Sequence, residues 1–244
     1  MINDFSITIH MDWAPKEVLE DCLDLLNKYN IKATFFCTGS LNIDKIKFKN
    51  HELAIHPNYK NNDIKTVEKS IKELMQIYPK TKGIRSHNLF NSSLFYPIYE
   101  KFGLEYESNY SMYLQENIQP FLMINNILQL PIYFYDQAFW LMPGIPRFKK
   151  EDLFLSSELS LKEPRLKIFL FHPILIFINA RSSEFYEKAK KYYQQPEKLL
   201  EFRKNQNRLG IRNFFEELLS YIKENKISCK TLYEINYEWR KENQ

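Results

Sequence analysis

Residues 5–39 read FSITIHMDWAPKEVLEDCLDLLNKYNIKATFFCTG, and three successive patterns in them decide the fold. Phe5–Met11 alternates Phe, Ile and Ile with Ser, Thr and His, the period-two signature of a strand. Pro15 then stands where the first turn of a helix tolerates it, and Val18, Leu19, Cys22, Leu25, Leu26 and Tyr29 recur at helical spacing. Cys22 lies in that stripe and reads as a core residue. Residues 32–38 (KATFFCT) return to a β-rich apolar run. Strand, helix, strand in so short a stretch is the unit of a parallel sheet, whose neighbouring strands need a crossover between them.

The alternation continues outward from this unit. Strands are expected at 52–56, 83–87, 104–108, 128–135 and 166–171, and a last one at 227–231. Helices are expected at about 63–78, through Ile64, Val67, Ile71, Leu74, Met75 and Tyr78, and at 94–102. Seven or eight strands in 244 residues fit an α/β barrel better than two small domains. One domain over residues 1–244 is therefore expected, with a helical excursion at about 181–208 that is rich in Tyr and Lys and broken by Pro196. That excursion reads first as solvated helix, and second as a substrate lid or a surface for anionic lipid.

Composition removes several classes of function. The chain is 44% hydrophobic and 26% charged, which excludes wholesale disorder, and its 16% aromatic content can fill a large core. None of the five glycines has the spacing of a GxGxxG or GxxxxGK phosphate loop. A net charge of +4 from 34 basic and 30 acidic side chains is too weak and too evenly mixed for a nucleic-acid partner. Cys22, Cys37 and Cys229 form no CxxC pair, so neither a disulfide framework nor a cysteine zinc site is expected. Residues 117–135 carry no charge, but Pro120, Pro131, Asn125, Asn126 and two Gln argue against a transmembrane segment. The opening residues include Asp4 and lack the basic start and long apolar run of a signal peptide, so the expected location is cytoplasmic.

The histidines locate the chemistry. Of His10, His51, His56, His87 and His172, all but His51 fall at or just past the C-terminal end of an expected strand. In β/α barrels the active site is built at that end, from several strands. Residues two apart on a strand share a face, so His10 can point with Asp12, and Arg85 with His87. His51 stands five residues before His56, on the opposite face and about 16 Å away in an extended strand, and is excluded from the site. A carboxylate with imidazoles from different strands suits a zinc-like divalent metal that keeps a position open for water. No compact HxxH or HExxH signature is present.

At these residues the chain resembles the polysaccharide deacetylase-like (NodB-homology) proteins, close to carbohydrate esterase family 4. The motifs occur in order: ITIHMDWAP (7–15), KATFFCTG (32–39), HELAIHPNY (51–59), GIRSHNLF (83–90), FLFHP (169–173) and CKTLYEI (229–235), the last resembling the family's closing strand. DWAP, HPNY and RSHNL point to a divergent branch associated with bacterial surface-polysaccharide biosynthesis. The resemblance implies a distorted (β/α)7 TIM-like barrel. It also implies hydrolysis of an N-acyl group, acetyl in the first instance, from a sugar or glycan precursor. The metal implied is zinc first, with cobalt, nickel, iron and manganese as alternatives.

Two departures bear on the site. Typical members place a second metal histidine four residues after the first, where this chain has Lys60; His87 would fill the position, giving Asp12, His56 and His87 as the metal set. The family's base Asp is absent before Asp12, where Met11 and His10 stand, so His10 becomes the candidate base. Arg85 matches the arginine that orients the base, Asp136 is the acidic residue after the sixth strand, and Trp140 is either a sugar-stacking or a core residue. His172 is the candidate acid that protonates the departing amine, held extended at the rim because Pro173 follows it. The departures leave open a silent member that binds a glycan or assembly partner. A phosphate-ester hydrolase is a third reading, but it would want more than Arg85 at the rim.

Overall fold

In the computed structural model the described residues are 4–40, 45–59, 63–138, 161, 165–204 and 209–243. Their strands are β1 (Phe5–His10), β2 (Ala33–Cys37), β3 (Glu52–Ile55), β4 (Gly83–Ile84), β5 (Tyr106–Glu107), β6 (Phe121–Leu122), β7 (Leu128–Gln129), β8 (Phe134–Tyr135) and β9 (Lys167–Phe171). The helices are α1 (Lys16–Tyr29), α2 (Ile64–Ile77), α3 (Tyr96–Lys101), α4 (Pro173–Phe177), α5 (Ser183–Lys190), α6 (Pro196–Lys204), α7 (Ile211–Glu224) and α8 (Leu232–Asn243).

The sheet runs in the order β6-β7-β5-β4-β3-β2-β1-β9-β8, parallel throughout except for β6 on β7. β1 sits between β2 and β9, with Ile7 opposite Ala33 and Phe5 opposite Lys167. The expected strand at 128–135 is one stretch of chain that pairs near both ends of the sheet. β7 pairs with β5, β8 pairs with β9, and between them the Leu130 N–H donates to the Glu107 carbonyl and the Tyr133 N–H to that of Ile168. Pro131 separates the halves because it has no N–H to give to a ladder. Counting this stretch once and setting aside the antiparallel β6 gives seven parallel strand positions around the curled sheet, the distorted (β/α)7 barrel expected from the motifs.

The last expected strand is a correction. Around 227–231 only Cys229 bridges Phe5, and from Leu232 the chain is helical. The residues TLYE (231–234) explain it. The Thr231 N–H donates to Glu234 Oε2 at 2.9 Å and the Glu234 N–H to Thr231 Oγ1 at 3.2 Å, a capping box that starts α8. The expected strands at 83–87 and 104–108 shrink to Gly83–Ile84 and Tyr106–Glu107.

Burial follows the periodicity. α1 buries Val18, Leu19, Cys22, Leu23, Leu25 and Leu26, while α7 buries Phe214 and Phe215 against Phe134 and Phe171 of the sheet. No helix of the described residues is long and apolar enough to cross a membrane.

Candidate active site

The mouth of the barrel forms where β1, β3, β4 and β9 end. β1 stops at His10, and the chain then turns through Asp12 and Trp13, whose φ angles are 39° and 57°. Positive φ at two successive non-glycine residues is a strained conformation that the surroundings must hold. It carries the Asp12 carboxylate over the strand ends. There Oδ1 lies 3.2 Å from His56 Nε2 and 3.3 Å from His87 Nδ1, and Oδ2 lies 3.4 Å from His172 Nε2. The His10 ring is 4.1 Å from that of His56 and 5.1 Å from that of His172, centroid to centroid. Four of the five histidines thus surround one carboxylate.

Each imidazole has its own support. His56 Nδ1 faces the Arg85 carbonyl at 2.5 Å, which leaves Nε2 directed at Asp12. His172 Nδ1 pairs with Asp136 Oδ1 at 2.8 Å, and the His172 N–H donates to Asp136 Oδ2 at 2.6 Å, so one buried carboxylate fixes both ring and backbone. His172 is extended (φ −108°, ψ 123°) and Pro173 begins α4, the geometry its neighbour was expected to impose. His10 Nε2 lies 3.4 Å from Arg85 Nη1. Arg85, fully buried, donates to Thr8 Oγ1 at 2.7 Å and to the Ser108 carbonyl and hydroxyl at 2.7 and 2.6 Å, with its guanidinium over the Phe36 ring.

Arg85 and His87 do not share a strand face as parity implies. β4 ends at Ile84, so Arg85 turns into the barrel while His87 starts a short 3-10 turn and faces the mouth. His51 lies away from the cluster: Nδ1 accepts from the Ala33 N–H at 3.2 Å and the ring packs on Phe35 and Phe48. Trp140 and Lys60 fall outside the described residues.

The electrostatics divide these groups. Burial alone would raise the Asp12 carboxyl, but the imidazoles of His56 and His87 beside it outweigh burial and hold the group well below the usual carboxylate range. Burial, reinforced by His56 and Arg85, lowers His10 well below an ordinary imidazole, and burial lowers His56. For His172 burial acts the same way, yet the Asp136 charge overcomes it and the net shift is upward. Burial brings Arg85 down to about 9, which leaves it cationic at neutral pH.

A divalent cation is tested by two atoms. Asp12 Oδ1 and His56 Nε2 are buried without a hydrogen-bond partner, side by side, a condition a folded protein rarely leaves unanswered. A carboxylate oxygen and imidazole nitrogens are a donor set for zinc and its neighbours, so the residues fit such an ion. Among the described residues, His10, Asp12 and His56 offer ligand atoms all within 4.8 Å of one another, while His87 reaches the group through Asp12 Oδ1.

The mouth opens into a cavity of about 840 Å³ whose walls include Asp12, Trp13, His87, Tyr135, His172 and Tyr186. Trp13 is half exposed there, its ring edge-on to His87. The excursion at 181–208 supplies part of this wall through α5 and the turn after it. Sequence reasoning missed Thr8 and Ser108, which hold Arg85, and the excursion's contacts. Thr8 stands two residues before His10 on β1, a parity signal that was legible; the others had none.

Residues 7–190 match the family described as WbmS-like polysaccharide deacetylase. Among solved structures the chain is similar to a Bordetella bronchiseptica protein assigned as a polysaccharide deacetylase involved in O-antigen biosynthesis. The identity is 23%, 90% of each chain is covered, and the TM-score is 0.79. It also resembles the Xyl-CE4 domain of a multidomain xylanase from the hindgut metagenome of Trinervitermes trinervoides, at 13% identity over 98% and 92% of the two chains with a TM-score of 0.50. A mutant of the Bacillus anthracis CE4 family pseudoenzyme matches at 15% identity over 96% and 67%, with a TM-score of 0.52. Among curated proteins none matches the chain.

Proposed function

Because the chain belongs to the WbmS-like polysaccharide deacetylase family, we propose that it is a metal-dependent hydrolase removing an N-acetyl group from a sugar of a surface polysaccharide or its precursor. The observation that carries this reading is the Asp12 carboxylate set among four histidines at a cavity mouth, with Oδ1 and the facing His56 Nε2 lacking partners. The assigned ligands are Asp12, His56 and His87, and His10 is kept for the base. A divalent ion bound there supplies Lewis acidity toward the amide carbonyl and makes hydroxide available near neutral pH.

The remaining work falls to the chain's own side chains. Asp136 favours the protonated form of His172, which delivers its Nε2 proton to the departing amine nitrogen, the step that lets the C–N bond break. His10, held neutral by burial and steered by Arg85, is the group that accepts a proton from the attacking water. Imidazoles driven to opposite pKa values divide acid and base work in this way. Trp13, Tyr135 and Tyr186 line the cavity and supply aromatic rings for a sugar to pack against. The Bordetella bronchiseptica protein's involvement in O-antigen biosynthesis supports a surface glycan as the substrate class.

One observation favours a second reading. A buried His10 with its pKa far down is a weak base where the family motif has an Asp, which suits a silent glycan-binding member. The test is acetate release from N-acetylglucosamine oligosaccharides and from a nucleotide-linked N-acetylhexosamine, by protein loaded with zinc or cobalt. Release that disappears on chelation and returns with metal supports the hydrolase. Glycan binding without release, in protein that takes up no metal, establishes the silent member instead.

A further inference from the structure

The helical excursion forms a strap over the mouth, and its middle touches the strained turn that presents Asp12. α5 and α6 pack on each other through Phe185 and Phe202, with ring centroids 5.6 Å apart. Arg203 Nη1 ties α6 to Asp21 of α1 at 3.0 Å. Between the helices stand Tyr193 and Gln194. The Tyr193 hydroxyl donates to the Asp12 carbonyl at 2.7 Å, and Gln194 Nε2 donates to the Trp13 carbonyl at 3.0 Å. Both carbonyls belong to the residues of the turn that have positive φ.

The barrel holds this turn from the other side. The Met11 N–H donates to the Phe36 carbonyl, the Trp13 N–H to Thr38 Oγ1, and the Ala14 N–H closes back on Met11. The Met11 and Trp13 N–H groups are thus satisfied by the barrel, and the Asp12 and Trp13 carbonyls by the strap. A left-handed pair of non-glycine residues relaxes unless its surroundings fix it, and relaxation here would swing the carboxylate away from the imidazoles.

We propose that Tyr193 is a positioning residue, with Gln194 as its lesser partner: the strap clamps the Asp12–Trp13 turn and so sets the ligand geometry for the metal. The metal part rests on the function proposed above; the clamp on the turn does not. Tyr193 touches no reacting atom in this role. Outer hydrogen bonds that aim a metal ligand typically carry a 10–100-fold effect on metal affinity.

The test uses the full chain and its Tyr193→Phe variant, which keeps the half-buried ring and removes only the hydroxyl. Zinc affinity is measured by titration calorimetry well below the melting temperature, and amide hydrogen exchange is followed in the metal-free protein. Expected are about tenfold weaker zinc binding, faster exchange confined to residues 11–14, and a nearly unchanged melting temperature. Gln194→Ala should move the same two readouts in the same direction by less, and serves if the first variant folds poorly. Unchanged exchange at residues 11–14 overturns the proposal, and so does a uniform rise in exchange with a lowered melting temperature, which marks a merely structural contact. If the wild type binds no zinc the metal reading fails, and exchange at the turn alone then decides whether the strap clamps it.

Discussion

Two half-buried carboxylates at opposite ends of the barrel make an instructive pair. Glu52, at the start of β3, is fully answered: Oε1 accepts from the Tyr106 hydroxyl at 2.6 Å, and Oε2 from Thr34 Oγ1 at 2.8 Å and the Tyr233 N–H at 2.9 Å. Burial raises its pKa, and the hydrogen bonds only partly offset the shift. Asp12, at the other end, faces imidazoles, leaves Oδ1 without a hydrogen bond, and is driven well below the usual range. The first carboxylate staples α8 to the base of the barrel. The second is an unfinished arrangement that a cation would complete. Burial alone says nothing about function; what surrounds the buried charge does.

This contrast can be broken most directly at Asp12. Asp12→Ala should bring zinc binding below detection in titration calorimetry while the protein stays folded; retained stoichiometric zinc would place the metal elsewhere. Next in size is His172→Ala, expected to keep its metal while N-acetyl-sugar turnover falls by about 10²-fold or more. Turnover equal to wild type in that variant would assign the acid role to another group.

A third carboxylate sharpens the comparison through pH. Glu107 is buried, with Asn109 and Gln129 as donors, and burial lifts its pKa from 4.5 to about 7. The raised folded value means that its contribution to stability is full below pH 4.5 and is lost as pH rises through about 7. The loss amounts to roughly 3 kcal/mol at 1.36 kcal/mol per pH unit. Denaturant unfolding between pH 4.5 and 7.5 should show that decline in the wild type and a flatter profile in Glu107→Gln. Identical slopes would refute it. The smallest effect belongs to the base of the barrel, where Glu52→Ala should cost about 1–3 kcal/mol by stranding its donors and leave zinc affinity untouched. A large drop in zinc affinity there would erase the distinction between the two ends.

Much of this was legible in the chain. Alternating polarity in FSITIH and the apolar run LKIFLF gave β1 and β9, and the helical stripe through Val18 and Leu26 gave α1, because burial on one face or both leaves a period. Strand-end placement gathered His10, His56, His87 and His172, and face parity excluded His51. The misses share a cause. Parity fails once a strand stops, as at Ile84, and periodicity does not distinguish a strand from a capped helix, as at TLYE (231–234). The Tyr193 contact joins residues 181 positions apart, so no local pattern records it.

The pairing of β1 with β9 has a consequence for how the protein comes into being. The Thr8 hydroxyl reaches the Phe169 carbonyl across 161 positions of chain, and β1 lacks one neighbour until β9 exists. During synthesis the first strand therefore waits with an open edge while most of the polypeptide is made, a slow, high-contact-order route. His10 and His172 ride on those same two strands, one at the end of β1 and the other just past β9. The imidazoles meet only when that seam zips, so a chain halted before residue 167 carries Asp12 and His56 but not His172.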